Sequence, residues 1–211
     1  MEKELVKTGT TTIGLKCKDG ILLAADKRAT AGHMIVDKKA EKVHIVDDKI
    51  ALTIAGLVSD AQFLTKLGRA EIKLKKLKSN SDVTVKEAAN LMANLSYANI
   101  RRMTMVPGIV GFLIGGADVN GYHLYNIGVD GSVTEEDKFT SDGSGSVFAY
   151  GVLETLYTDD MTMDQAQELA LKALNAAMQR DSASGSGIDV VRITNAGADR
   201  VLTREVNIEK F

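Results

Sequence analysis

GTTTIGLKCKDGILLAADKRAT, residues 9–30, predicts a pair of adjacent β-strands. In residues 10–17 the side chains alternate, with Thr, Ile, Leu and Cys on one face and Thr, Gly and Lys on the other, as in a half-buried strand. Asp19-Gly20 is a signal for a tight hairpin turn. Residues 21–26 then form a nearly continuous apolar strand that ends in the charged triplet Asp26-Lys27-Arg28. The stretch therefore predicts an antiparallel hairpin near the start of the fold.

The remaining sequence alternates between blocks of strands and blocks of helices. A second hairpin is predicted around Asp47-Asp48, and later strands are predicted at residues 109–117, 188–194 and 200–203. Helices are predicted in two pairs that lie between these strand blocks. Short hairpin turns imply antiparallel strands, and paired helices favour an α+β fold over a doubly wound one. The pattern predicts two sheets that bury one another, each covered on its outer face by two helices.

The helix predictions depend on caps and on apolar stripes. Two helices begin with a capping box, a threonine followed three residues later by a glutamate or glutamine: Thr84 with Glu87, and Thr162 with Gln165. Ser59 or Asp60 is expected to cap the first helix. The predicted apolar stripe of that first helix is Phe63, Leu64, Leu67, Ala70, Leu74 and Leu77, and that of the third is Val147, Tyr150, Leu153 and Leu156.

Composition excludes several classes of protein. The chain has 211 residues with 26 Lys and Arg, 28 Asp and Glu, a formal net charge of −2 and 45% hydrophobic residues. This balance is ordinary for a globular protein and lacks the basic excess of a dedicated nucleic-acid binder. The longest nearly apolar run, residues 109–117, is too short to span a bilayer, and residues 1–9 lack the apolar stretch of a signal peptide. We therefore expect a cytoplasmic protein with neither a nucleic-acid nor a membrane partner.

No metal or cofactor is expected. Cys17 is the only cysteine, so the chain cannot form an intrachain disulfide or a cysteine-rich metal site. Its position on the same strand face as Ile13 predicts a small core residue rather than a nucleophile. The three histidines, His33, His44 and His123, are scattered and show no spacing typical of metal ligands.

Thr10 has two interpretations. The plain one is a threonine-rich β-strand, because threonine favours strands. The other is that a leader ends at Gly9 and that cleavage there frees the α-amino group of Thr10. An N-terminal threonine supplies a nucleophilic hydroxyl together with an amine whose pKa of about 7.7–8.0 suits a general base. Gly9 fits such a cleavage site because its backbone can bend without a Cβ in the way.

Several separated motifs together resemble those of proteasome β-subunits of the archaeal catalytic type. They are Gly9-Thr10-Thr11-Thr12-Ile13-Gly14, Asp26-Lys27-Arg28-Ala29-Thr30, Ile54-Ala55-Gly56 with Asp60-Ala61-Gln62, Gly143-Ser144-Gly145-Ser146 with Tyr150-Gly151-Val152-Leu153-Glu154, and Arg180-Asp181-Ser182-Ala183-Ser184-Gly185. Their order and spacing extend the similarity over residues 10–203. The resemblance implies a four-layer αββα sandwich of the N-terminal nucleophile hydrolase type. It also implies that residues 1–9 are an autocatalytically removed propeptide and that residues 10–211 form a single domain.

The resemblance further implies a role for each polar site residue. Thr10 would be the nucleophile, Lys42 would lie beside its hydroxyl, and Asp26 would supply the counter-charge of Lys42. Arg28 would belong to the same charged neighbourhood. The groups implied to surround the Thr10 amine, and to hold a proton-shuttling water, are Ser144, Asp181 and Ser184. Without the resemblance, Lys42 would be taken for a solvated lysine at a strand edge, and the other polar residues for turn, loop or capping residues.

The substrate side is implied in the same way. The backbone N–H of Gly56 would bind the oxyanion, and glycine there would let the substrate come close. The residues implied to line the substrate pocket are Ala29, Thr30, Ala40, Ile54 and Val58, with His44 beside them. These side chains are uncharged, so we expect a preference for apolar residues before the cut bond. Two positions depart from the family's usual pattern: Gly111 stands where a glutamine is frequent, and Asp142 stands where a small uncharged residue is frequent.

The function implied by the resemblance is that of a threonine endopeptidase. Seven-membered rings of β-subunits, two back to back, would be capped by rings of α-subunits and fed by a regulatory ATPase that unfolds polypeptide substrates. Three alternatives stay open at this point. They are a subunit of the bacterial two-component peptidase, an inactive ring subunit with a structural role, and an amidohydrolase of the same fold that acts on small molecules.

Overall fold

The computed structural model describes residues 9–205, and within them two five-stranded antiparallel sheets pack face to face. In chain order the elements are β1 (Thr12–Cys17), β2 (Gly20–Asp26), β3 (Ala29–Ala31), β4 (Met34–Asp37), β5 (Val43–Asp47), β6 (Ile50–Gly56), α1 (Val58–Ser79), α2 (Val85–Ile100), β7 (Val110–Asp118), β8 (Gly121–Ile127), β9 (Val133–Glu135), β10 (Phe139–Asp142), α3 (Ser146–Leu156), α4 (Met163–Arg180), β11 (Gly187–Thr194) and β12 (Gly197–Glu205). The first sheet has the order β10-β1-β2-β11-β12 and the second has the order β5-β6-β7-β8-β9. A short β3–β4 hairpin stands apart from both.

Three apolar layers hold the four structural layers together. Between the sheets lie residues such as Leu23, Leu113 and Val191. The outer face of the first sheet packs on α3 and α4 through residues that include Leu15 and Leu174, and a similar cluster joins the second sheet to α1 and α2. The predicted αββα sandwich is therefore confirmed.

The continuous apolar run of β2 follows from its central position in the first sheet. Ile21, Leu23 and Ala25 point into the layer between the sheets, whereas Leu22 and Ala24 point toward the α3–α4 layer. Because both faces are covered, neither face needs polar side chains. The predicted hairpin with β1 is confirmed, and Cys17 lies opposite Gly20 at its turn.

The predicted strand at 10–17 begins two residues late, at Thr12. Thr11 donates its N–H to the side chain of Asp26, at 2.9 Å, and the carbonyl of Thr10 accepts from the N–H of Gly145, at 3.2 Å. Pairing with these groups draws the first two threonines away from regular strand geometry. The β3–β4 hairpin and strands β8 to β10 were not predicted, because their short segments carry weak periodic patterns.

Both predicted capping boxes are confirmed, at Thr84–Glu87 of α2 and Thr162–Gln165 of α4. The prediction for α1 is wrong in two respects. The helix begins at Val58, so Ser59 and Asp60 lie inside it, and Leu57 precedes it without a side-chain cap. Of the predicted stripe only Leu64 is buried, and the buried face is Ala61, Leu64, Thr65, Gly68 and Ile72.

Small residues decide which face of α1 is buried. A Cβ on Gly68 would overlap the sulfur of Met92 on α2, so the absence of a side chain at Gly68 makes room for Met92. Leu74 and Leu77 consequently point outward. In α3 the buried residues are Ala149 and Leu153, whereas Val147 and Leu156 of the predicted stripe are exposed. Across the described part of the chain, none of the helices combines the length and apolar character needed to cross a membrane.

Candidate active site

Thr10 lies buried just before β1, with Gly9 still attached to it. Its hydroxyl Oγ1 donates to the carbonyl oxygen of Gly9 at 2.7 Å. Its backbone N–H donates to Oγ of Ser144 at 3.2 Å. As a peptide nitrogen it is a donor without basicity. The hydroxyl and the nitrogen of this one residue therefore face two different groups of polar side chains.

The first polar group is the ion pair of Asp26, at the end of β2, with Lys42, just before β5. Lys42 Nζ lies 2.8 Å from Asp26 Oδ1 and 3.4 Å from the carbonyl oxygen of Gly9. The Lys42 and Asp26 side chains are only 5% and 0% exposed. Burial lowers the pKa of Lys42, and the neighbouring Asp26 carboxylate opposes that shift. The ammonium of Lys42 is thus held beside the carbonyl oxygen of Gly9, to which the Thr10 hydroxyl also donates.

Among the described residues, the Asp26 carboxylate accepts four hydrogen bonds. Besides Lys42, its Oδ1 accepts from the N–H of Thr11 at 2.9 Å. Its Oδ2 accepts from the N–H groups of Arg28 at 3.0 Å and Gly185 at 2.9 Å. A carboxylate with both oxygens doubly satisfied has little freedom to rotate. Asp26 therefore provides a rigid anchor for Lys42.

The second polar group lies on the nitrogen side of Thr10. Oδ2 of Asp181 accepts from the hydroxyls of Ser144 and Ser184, each at 2.6 Å. Each serine has one hydroxyl hydrogen, and an ionised carboxylate can only accept, so both hydrogens point to Asp181. The oxygen of Ser144 is then left to accept from the Thr10 nitrogen. Likewise Ser184 accepts, at 2.7 Å, from the hydroxyl of Thr11.

Thr11 and the loop contacts of Arg28 were not predicted as parts of the site. The Arg28 guanidinium donates to the carbonyl of Ser182 at 2.8 Å and to Ser186 Oγ at 3.3 Å. Arg28 thereby holds the loop that follows α4, and this loop carries Ser184. The resemblance placed Arg28 only in a charged neighbourhood. No local pattern links residues more than 150 positions apart, so sequence reasoning offered no signal for either contact.

A cavity of about 320 Å³ opens beside Thr10. The residues predicted to line a substrate pocket all border this cavity, together with His44 and Gly56: Ala29, Thr30, Ala40, Ile54 and Val58. Four further lining residues were missed, namely Val36, Asp37, Glu41 and Gln62. Val36 and Asp37 belong to the unpredicted β3–β4 hairpin. Gln62 was visible in the Asp60-Ala61-Gln62 motif but received no role.

At two positions of the site, steric crowding explains why the residue is glycine, and the sequence alone did not suggest this crowding. A Cβ on Gly9 would overlap Cβ of Ala183, so the residue before Thr10 has no room for a side chain. Gly56 has φ +129°, and a Cβ there would overlap the carbonyl oxygen of Ile109. Both conditions favour glycine independently of any approaching substrate.

Cys17 is a buried core residue, as predicted. Burial raises the pKa of its thiol to about 12, so a reactive thiolate is not available near neutral pH. Within residues 9–205 no cluster of three or more His, Cys, Asp and Glu side chains is arranged to hold a metal ion.

Comparison with known proteins agrees with the fold. A family model described as proteasome subunit matches residues 6–193. The chain is 44% identical over 205 residues to the proteasome subunit beta of Archaeoglobus profundus, an alignment that covers 97% of this chain and 94% of the relative. It is 46% identical over 194 residues to that of Ferroglobus placidus, covering 92% and 90%, and 43% identical over 206 residues to that of Methanosarcina mazei, covering 98% and 96%. The chain therefore belongs to the proteasome subunit family, among relatives that are named as β-subunits.

Proposed function

We propose that this chain is a threonine endopeptidase and the catalytic β-subunit of a proteasome core. One observation carries the proposal: the hydroxyl of Thr10 lies 2.7 Å from the carbonyl oxygen of Gly9, and Lys42 approaches the same oxygen. A nucleophile, an amide and a cation thus meet at one peptide bond. The names of the relatives support the assembly of this chain into proteasome particles.

The first reaction of this site is removal of residues 1–9, of which residues 1–8 lie outside the described part of the chain. Oγ1 of Thr10 adds to the carbonyl carbon of Gly9, and the carbon–nitrogen bond then breaks. The nitrogen takes up a proton, so Gly9 becomes esterified to Oγ1 and Thr10 gains a free amine. Water hydrolyses the ester, releases the leader and restores the hydroxyl. Residues 10–211 form the mature domain.

Substrate cleavage repeats the same steps with a base now available. The free amine accepts the hydroxyl proton, through a water, while Oγ1 attacks the substrate carbonyl. The positive charge of Lys42 disfavours protonation of that amine and stabilises negative charge on the oxygen. The backbone N–H of Gly56 donates to the oxyanion. The substrate's amine fragment leaves, and water then hydrolyses the acyl ester on Thr10.

Ser144, Asp181 and Ser184 orient the amine. Because Asp181 takes the hydrogens of both serines, the lone pairs of Ser144 are free to accept from the amine nitrogen. That arrangement leaves the lone pair of the amine available for the hydroxyl proton. Ala29, Ala40, Ile54 and Val58 favour apolar residues before the cut bond, and the carboxylates of Asp37 and Glu41 border the same cavity.

The assembled form restricts access to this site. Two back-to-back rings of seven β-subunits, capped by rings of α-subunits and fed by a regulatory ATPase, enclose the active sites in a chamber. Only unfolded polypeptides enter, so a broadly specific protease is kept from folded proteins of the cytoplasm.

The test compares wild type with Thr10→Ala and Thr10→Ser in full-length chains assembled with α-subunits. We expect wild type to lose the mass of residues 1–9 and to cleave a fluorogenic peptide. Thr10→Ala should retain the leader and lose activity, whereas Thr10→Ser, which keeps a hydroxyl, should retain part of both reactions. Full peptidase activity in Thr10→Ala would overturn the proposal. Retention of the leader by assembled, inactive wild type would instead indicate a structural ring subunit.

A further inference from the structure

Gly111 and Asp142 approach each other across the sandwich. Gly111 lies on β7 of the second sheet, and Asp142 is the last residue of β10 at the edge of the first sheet. A Cβ on Gly111 would overlap Oδ2 of Asp142, and it would lie 3.4 Å from the Asp142 Cγ. The carboxylate therefore occupies the space that a side chain at position 111 would need.

The other carboxylate oxygen bonds to the turn that precedes Ser144. Oδ1 of Asp142 accepts from the N–H of Gly143 at 2.7 Å. Gly143 has φ +97°, and a Cβ there would overlap the carbonyl oxygen of Thr10. The next residue is Ser144, whose Oγ accepts from the Thr10 nitrogen. The Asp142 side chain thus braces the tight turn that presents Ser144 to Thr10.

A carboxylate is a costly group in this position. Burial raises the pKa of Asp142, and the N–H of Gly143 only partly opposes that effect. Among the described residues, no lysine, arginine or histidine forms an ion pair with it within 4.0 Å. Asp142 is half-buried, and a half-buried carboxylate with so few partners is more typical of a functional site than of a structural core.

We propose that Asp142, seated in the space left by Gly111, is a positioning residue that holds the Gly143–Ser144 turn against the Thr10 nitrogen. This inference rests on the proposed peptidase function. It makes Gly111 and Asp142 one unit: a side chain at 111 displaces the carboxylate, and loss of the carboxylate makes the space at 111 available. The effect of the two substitutions must then be non-additive.

The experiment is a double-mutant cycle on assembled particles, with kcat and KM for a fluorogenic peptide and the thermal midpoint as readouts. Asp142→Ala should lower kcat roughly five-fold, the effect of one lost hydrogen bond, with little change in KM. Gly111→Ala should give a similar loss, and the double variant should be no worse than either single one. Asp142→Asn, which keeps an acceptor for Gly143, should recover most of the activity. Gly151→Ala is the control, because a Cβ at Gly151 would meet nothing within 4 Å.

Losses that multiply in the double variant, or single variants with wild-type kcat, would overturn the inference. A lowered thermal midpoint with unchanged kcat would do the same, because it indicates a purely structural role. If Asp142→Ala fails to assemble, Gly111→Ala alone decides, since it moves the carboxylate without deleting it. Thr10→Ala in the same assay distinguishes failure of the role proposed for Asp142 from failure of the proposed peptidase function. If it is inactive while the cycle is additive, only the role of Asp142 is refuted, and if it is active, the proposed function is refuted as well.

Discussion

The two halves of the sandwich have the same plan but different contents. Each half is a five-stranded antiparallel sheet covered by two helices, and in each the second helix starts with a threonine capping box. The half built on the first sheet holds Thr10, Asp26 and Ser144, with Asp181 and Ser184 in the loop after α4. The half built on the second sheet contributes mainly cavity wall, such as Ile54, Gly56 and Val58.

Under the proposed function, chemistry and substrate contact are largely divided between two similar supports. Two groups of the second half are exceptions. The backbone N–H of Gly56, at the end of β6, is proposed to bind the oxyanion, and Lys42 leads into β5 yet pairs with Asp26 of the first sheet. The ion pair therefore joins the halves at the point where the polar groups meet the cavity. Substitutions in one half should alter turnover, and substitutions in the other should alter selectivity.

The largest effect is expected for Lys42→Met, which breaks the link between the halves. Peptidase activity should fall by about 1,000-fold, because the variant removes the cation beside Thr10. The free energy of unfolding should fall by roughly 3–5 kcal/mol, because Asp26 is left buried and partly unpaired. Peptide kinetics and urea unfolding measure the two losses.

Lys27→Met is the matched control for this prediction. Lys27 pairs with Asp189 at 3.0 Å, and the two side chains are only 7% and 1% exposed, so this pair is about as buried as the first. It should lower stability, although Arg200, 3.6 Å from Asp189, offsets part of the loss. Activity per assembled particle should remain close to wild type. An equal loss of activity in both variants would mean that burial, rather than the position beside Thr10, explains the effect.

A smaller loss is expected for Asp181→Asn, in the half that carries the chemistry. The amide has only one acceptor oxygen and adds two donors, so it cannot serve both Ser144 and Ser184 as the carboxylate does. We expect kcat to fall roughly 100-fold, since the orientation of the base is lost, with KM little changed. Asp164→Asn makes the same change in the first turn of α4, away from Thr10. A kcat loss in the control, or a loss confined to KM, would contradict the division between the halves.

Substitution of the cavity wall should change selectivity instead. Val58→Glu adds a negative charge to a cavity already bordered by Asp37 and Glu41. The ratio of kcat/KM for peptides with a basic residue before the cut bond to those with an apolar one should rise roughly ten-fold. Val119→Glu, at the exposed turn between β7 and β8, is the control. Equal loss of kcat for every peptide would show that Val58 supports the chemistry rather than the cavity.

In both halves, the predictions that succeeded are those whose signals are local. Strand alternation, the Asp19-Gly20 turn and both capping boxes correctly identified elements whose signals lie within a few residues. The buried face of α1 was mispredicted, because the contact of Gly68 with Met92 outweighed the spacing of larger apolar residues. Periodicity marks a face that could be buried, whereas the partner helix decides which face is buried.

The site depends on contacts that no local pattern contains. The nitrogen of Thr10 bonds to a residue 134 positions away, and Thr11 to one 173 positions away. Taken alone, Lys42 had the appearance of a solvated lysine, because nothing near it in sequence predicts Asp26 as a partner. Only the resemblance brought these residues together before the fold was known. Where the resemblance gave no role, as for Thr11 and Gln62, the site residues were missed.

The smallest effect is expected at the two capping boxes. The residue that closes the box is the charged Glu87 in α2 and the neutral Gln165 in α4. Pairing with Lys75 and hydrogen bonds from Thr84 lower the pKa of Glu87 from 4.5 to about 2. A pKa lowered by folding adds stability above about pH 4.5, and that stability is lost as the pH falls toward 2. Glu87→Gln should therefore cost about 0.5 kcal/mol at pH 7, since the pair is exposed and screened by solvent. In urea unfolding from pH 7 to pH 3.5, the difference from wild type should shrink below about pH 4.5. Gln165→Ala removes the neutral counterpart in α4, so its cost should be independent of pH, and a pH-independent cost for Glu87→Gln would show that the charge contributes nothing.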